Sequence, residues 1–234
     1  MRRAIIAALL LAGCQTTPAV IEPTPENVAA QFEVAAFGSD AGAGRGVITK
    51  WQSDPVLGSI ETPEYDTYVR RYQSEIVSAL ESIQAVTGRR WITNATSVDD
   101  VTFHLSFMPK SEFGTLPIDD PDVLRFVSRQ SCAGLVGYKK STNEQFFALA
   151  VFGTDNSDEI IRDCILEEIY QAMGLPADAC HYRPSVICEQ DRVFELTEAD
   201  KILLRTLYDP RLRPGMSKAE AMPIARQIIA EQMR

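Results

Sequence analysis

Histidine is nearly missing from this chain, with only His104 and His181 among 234 residues. That scarcity excludes any centre built on three imidazoles. Basic residues are outnumbered too, 23 Lys and Arg against 32 Asp and Glu, for a formal charge of −9. A chain so charged repels phosphate, so no nucleic acid is expected as a partner. Long apolar runs are absent, and the one early run, Ala4 to Ala12, is too short to cross a bilayer. The glycine-rich stretch SDAGAGRG, from Ser39 to Gly46, lacks the Gly-Lys-Ser/Thr ending of a phosphate loop and reads as a turn. Ser131-Cys132-Ala133-Gly134 lacks the leading glycine of a nucleophile elbow.

What is present begins with a leader. Arg2 and Arg3, the apolar run and Leu11-Ala12-Gly13-Cys14 follow the order of a bacterial secretory signal. The last four residues resemble the lipobox of bacterial lipoproteins, which implies cleavage after residue 13 and acylation of Cys14. Gln15, where an aspartate would favour inner-membrane retention, points to an outer-membrane lipoprotein facing the periplasm. The expected organisation is a signal peptide over 1–13, a lipidated cysteine and flexible Pro/Thr-rich tether over 14–27, and one domain over 28–234. Membrane contact is then expected through the lipid anchor alone.

Four further cysteines, Cys132, Cys164, Cys180 and Cys188, read as two disulfides in an exported chain, with three connectivities open. Cys180–Cys188, a short loop, and Cys132–Cys164, tying a strand to a helix, are favoured. The competing reading is a metal cluster of Cys180, His181 and Cys188.

QFEVAAFG (31–38) and GVITKWQ (46–52) have the composition of strands. Thr62-Pro63-Glu64 marks a helix start, and apolar residues recur from Tyr65 to Ile83 until Gly88 ends it. RRWITNAT and DVTFHLSFMP read as strands, DDPDVLRFVSRQ as a short helix, and CAGLVGYK with EQFFALAVFG as a hairpin. A helix capped by Ser157 follows, then a Cys-rich loop, a helix opened by Leu196-Thr197-Glu198-Ala199-Asp200, and a last one interrupted near Pro223. Strands, a long helix, strands, another helix and a mainly helical C-terminal part describe an α+β domain with a mixed sheet.

The Ser157 helix carries the chemistry. Ile161, Ile165, Ile169 and Ala172 share one arc, with Cys164 beside it. Glu168 falls inside that apolar arc, and Glu167 and Gln171 lie on its flank one turn apart. A carboxylate in an apolar arc is costly unless paired. Glu167-Glu168-x-x-Gln171-x-x-Gly174 resembles the metzincin frame H-E-x-x-H-x-x-G-x-x-H, with both helix histidines replaced. LTEADKILLRTLYDP is similar to the closing segment of matrix-type metalloproteases. The lipobox, DCILEEIYQAMGLPAD and LYDPRLRPGM together resemble the bacterial family known as domain of unknown function 2927. The resemblance implies a zincin-like fold with the third ligand position at Ala177, Asp178 one residue away, and Glu168 at the place of the general base.

The departures exclude ordinary zinc proteolysis, because no histidine set exists to hold the metal and acidify its water. Three uses of the cleft remain. Glu167, Gln171 and Asp178 form a polar network, salt-bridged to Arg162 or Arg183, in a non-catalytic peptide- or protein-binding module. Alternatively their oxygens hold a hard cation such as Ca²⁺ or Mg²⁺, although three side chains are few for calcium. In the third reading Glu168 serves an atypical hydrolase with a second carboxylate, although Glu167 and Glu168 start about 100° apart on the helix. The expectation is the binding module, without zinc or another cofactor. A structural component of an envelope assembly, meeting its partner through the outer surface, is a further alternative.

Overall fold

The computed structural model describes residues 19–40, 44–59 and 65–234. The expected signal peptide, Cys14 and the helix start at Thr62-Pro63-Glu64 lie outside them. The first helix, α1 (Pro25–Phe37), overturns two expectations at once. Its first turn occupies the end of the presumed tether, and its body is QFEVAAF, read above as a strand. The physical reason is a complete helix start: the Thr24 hydroxyl accepts from Asn27 N, Pro25 takes the first turn, and Val28, Phe32, Ala35 and Ala36 bury one face.

Five strands form one mixed sheet: β1 (Lys50–Trp51), β2 (Leu57–Ser59), β3 (Phe103–Met108), β4 (Cys132–Tyr138) and β5 (Glu144–Gly153). β3 runs parallel to β5, with Phe103 opposite Ala148 and Met108 opposite Gly153, and β2 runs parallel to β3. β1 is also parallel to β5. β4 alone is antiparallel, with Cys132 opposite Phe152 and Leu135 opposite Leu149. Among the described strands β4 pairs only with β5, so its other edge is open.

Both faces of the sheet are covered, and the alternation along β5 shows it. Ala148, Ala150 and Phe152 point into the main core with Phe103, Phe107 and the helices. Leu149 and Val151 point the other way, into a smaller core with Met108, Phe113, Leu116 and Val127. That second core lies under the 110–115 turn and the short helix Pro121–Val127.

The long helix expected up to Gly88 is two, α2 (Tyr65–Arg71) and α3 (Gln73–Thr87). The joint is Tyr72, whose buried side chain donates its hydroxyl to Asp158 at 2.9 Å. Gly88 ends α3 with φ +70°, the left-handed stop that glycine accepts most readily. RRWITNAT is not a strand: Ile92 makes one isolated bridge to Val56, and Trp91 instead stacks edge-on against Phe103 and donates its indole N–H to Leu80 O. α4 spans Pro121–Val127, α5 Asp158–Gln171, α6 Glu198–Tyr208 and α7 Lys218–Gln232 with Pro223 inside it. No helix among the described residues is long and apolar enough to cross a membrane.

Both disulfides are formed. Cys132–Cys164 joins β4 to α5, and Cys180–Cys188 closes the loop between α5 and α6, which removes the thiolates a Cys180/His181/Cys188 metal cluster would need.

Candidate functional site: an acid-lined cleft beside the edge strand

α5 starts where Ser157 accepts from Ile160 N and places Asp158 and Glu159 in the first turn. Its apolar residues Ile161, Ile165 and Ile169 sink into the main core, which fixes the rotation of the helix. That rotation turns Asp163, Glu167, Glu168 and Gln171 towards β4 and a cleft of about 700 Å³. After the helix, Gly174 turns the chain at φ +115°, and a Cβ there would meet the carbonyl of Thr49. The turn brings Asp178 back to the cleft. The turn just beyond α1 adds Asp40, and the Cys-rich loop adds Glu189 and Arg192.

Glu168 is 6% exposed, and among the described residues no hydrogen bond or ion pair reaches its carboxylate. It lies against the backbone of β4: a Cβ added to Gly134 would stand 2.6 Å from Glu168 Oε2. An oxygen of Glu167, one of Glu168 and the sulfur of Cys132 all lie within 4.8 Å of one another. The helical offset between the two glutamates therefore does not keep their carboxylates apart, because three side-chain torsions swing both heads to the same side. Gln171 donates its amide to Asp178 Oδ1 at 2.6 Å, and Asp178 N donates in turn to Asp40.

The cations expected to neutralise this group are elsewhere. Arg162 pairs with Glu75 at 2.9 Å, and Arg183 with Asp191 at 2.6 Å. The neighbouring cation is Arg192, bound to Asp163 at 3.0 Å. At the other end Arg45 lies 3.1 Å over the ring of Tyr138 and donates to Asn143. Burial, then repulsion from Asp178 and Asp163, pushes the Glu167 carboxyl up to about 8. Burial and the neighbouring Glu167 hold Glu168 well above the ordinary carboxylate range. Asp178 is raised to about 7 by burial and by Asp40, with the Gln171 bond pulling it back. Asp163 and Asp40 are raised too, chiefly by burial.

The donors do not fit zinc. Neither histidine lines the cleft: His104 lies on β3 against Phe147, and His181 is exposed in the Cys-rich loop. Cys132, the nearby sulfur, is bonded to Cys164. What remains is a set of oxygen donors.

Sequence reading located Glu167, Glu168, Gln171 and Asp178, and the structure brings all four together. It missed Asp40, Asp163, Arg192 and Gly134. Asp163 was legible, since Asp163, Glu167 and Gln171 repeat every fourth residue as a polar stripe. Asp40, which sat unremarked in a glycine-rich turn, had no such signal.

These features define an α+β domain whose cleft is walled by an antiparallel edge strand and floored by a helix bearing unpaired carboxyls. The chain belongs to the family described as protein of unknown function (DUF2927), whose model matches residues 25–227. Neither a curated protein nor a solved structure matches it.

Proposed function

We propose that this is an envelope lipoprotein whose cleft binds an extended peptide or protein segment without cleaving it. The observation that carries the reading is the open edge of β4 along the cleft, stapled to the acid-bearing helix by Cys132–Cys164. A strand edge recognises extended chain through main-chain hydrogen bonds and needs no metal to do so. The replaced histidine frame on α5, set beside an antiparallel edge strand, supports descent from a zincin-like protease that kept its substrate groove. The lipobox-like Leu11-Ala12-Gly13-Cys14 supports anchoring at the outer membrane, facing the periplasm. The test is amide hydrogen exchange along Gly134–Tyr138 in the presence of peptide. Slowed exchange is expected in β4, and exchange unchanged at every peptide concentration sinks the reading.

A second reading has one observation in its favour. The Glu167 and Glu168 oxygens lie within 4.8 Å, close enough that ionising one carboxyl raises the other. Such a pair supplies both acid and base for an atypical hydrolase. Glu168→Gln separates the two readings, because it abolishes turnover in the hydrolase and leaves peptide affinity measurable in the binding module.

A further inference from the structure

We propose that the cleft selects an extended peptide bearing a cationic side chain, Lys or Arg, whose head seats among Glu167, Glu168 and Asp178 while its backbone pairs with β4. The inference rests on the peptide-binding reading above and adds a charge requirement to it.

An acid cluster alone would not carry this. The decisive observation is Glu168, 6% exposed, turned to the cleft and met by no donor among the described residues. An ionised carboxylate is stable in such a place only with a counter-charge. The cleft's own cations do not provide one, since Arg192 is held by Asp163 and Arg45 by Tyr138 and Asn143. No lysine lines it among the described residues. Glu168 therefore ionises only when a counter-charge arrives with a ligand.

Geometry favours a side chain over a bare ion. About 700 Å³ is the size of a site for a sizeable organic ligand, far beyond one ion. Gly134, by lacking a Cβ, lets the Glu168 carboxylate lie directly against the β4 backbone. Side chains of a strand paired to β4 alternate between the two faces, and those on the α5 face next to Gly134 arrive at the carboxylates. An ammonium offers three donors and a guanidinium five, enough to engage several carboxylate oxygens at once.

Proton release should accompany binding. Burial and neighbouring acids push Glu167 up to about 8 and Asp178 up to about 7. The other charged groups facing them are Asp40 beyond α1, Asp163 on α5, and Glu189 and Arg192 in the Cys-rich loop, with Arg45 at the far end. β4 contributes only its backbone, Cys132 and uncharged side chains at this point. An incoming cation displaces the protons, so its affinity rises as pH climbs from 6 to 8.

The experiment uses the full chain with both disulfides formed. Capped hexapeptide pools with randomised flanks and one fixed central residue, Lys, Arg, norleucine or Glu, are equilibrated with it at pH 6 and pH 8, and bound peptide is quantified. Lys and Arg pools are expected to bind roughly tenfold or more tightly than norleucine. The margin should widen at pH 8 and shrink in Glu168→Gln and in Glu167→Gln. Norleucine binding as well as lysine overturns the charge requirement and leaves peptide binding standing. Binding of none of the pools overturns both. Stoichiometric Ca²⁺ binding that excludes the Lys pool also overturns the proposal and makes the cleft a metal site.

Discussion

Two buried carboxyl groups in this molecule meet the same physical problem with opposite solutions. Asp200, in the first turn of α6, is fully buried and accepts from the Tyr182 hydroxyl, the Ser185 hydroxyl, Val186 N, and both the backbone N and the hydroxyl of Thr197. Its neighbours are locked in turn, as Gln31 on α1 donates to Ser185 and accepts from His181 N and Tyr182 N. Glu168 is almost as deeply buried and has no donor among the described residues, only another acid and an open strand edge. Removing either carboxyl from water costs several kcal/mol if nothing replaces the water. Asp200 is satisfied within the fold, whereas Glu168 finds no donor among the described residues.

The largest effect is expected for Asp200→Ala. It strands a set of buried donors, and urea denaturation should show a loss of about 4 kcal/mol. A loss below about 1 kcal/mol would mean the Asp200 knot is not what holds α6 to α1. Next in size is removal of the covalent tie between β4 and α5. Cys132→Ser/Cys164→Ser should cost about 3 kcal/mol in the same assay and speed hydrogen exchange along β4 more than along β3.

Glu168→Gln should move stability the other way, raising it by about 2 kcal/mol at pH 8, because an amide avoids the cost of ionisation in place. The pH dependence follows the same logic. Glu167 and Asp178 bind protons in the folded state up to about pH 8 and 7, against ordinary values of 4.5 and 3.8. The folded form thus holds more protons than the unfolded one across that window. Their contribution is fully favourable below about pH 4 and is lost as pH rises through about 8. Urea midpoints should fall between pH 5 and pH 8 in the wild type, and fall less in Glu167→Gln. The smallest effect is expected for Gly134→Ala, about 1 kcal/mol, as the new methyl displaces the Glu168 head from the strand. Crystallography of that variant should find the carboxylate moved.

The legibility of these two regions in sequence differs for the same reason. Asp200 sits in a capping box, Thr197-Glu198-Ala199-Asp200, and the helix it opens was readable from four residues. α5 was readable from Ser157 and the isoleucine spacing, which also exposed Glu168 as an anomaly. Local signals failed where tertiary packing decides the outcome. QFEVAAF has the composition of a strand, and becomes helical because Thr24-Pro25 starts a helix whose apolar face the core accepts. RRWITNAT has the composition of a strand too, and Trp91 packs it against Phe103 outside the sheet. In the cleft, the polar stripe on α5 was visible, but its meeting with Asp40 depends on contacts across more than a hundred residues, which no spacing encodes.

The staple between β4 and α5 has a mechanical consequence. A segment paired along β4 and pulled lengthwise would load the β4–β5 hydrogen bonds together, in shear, instead of opening them one by one from an end. At the Cys132 end, where peeling would otherwise begin, the strand is held by a covalent bond to the helix beneath. The β4 edge and the α5 face are thus held at a fixed spacing, and a load along the strand meets a covalent stop before it can peel.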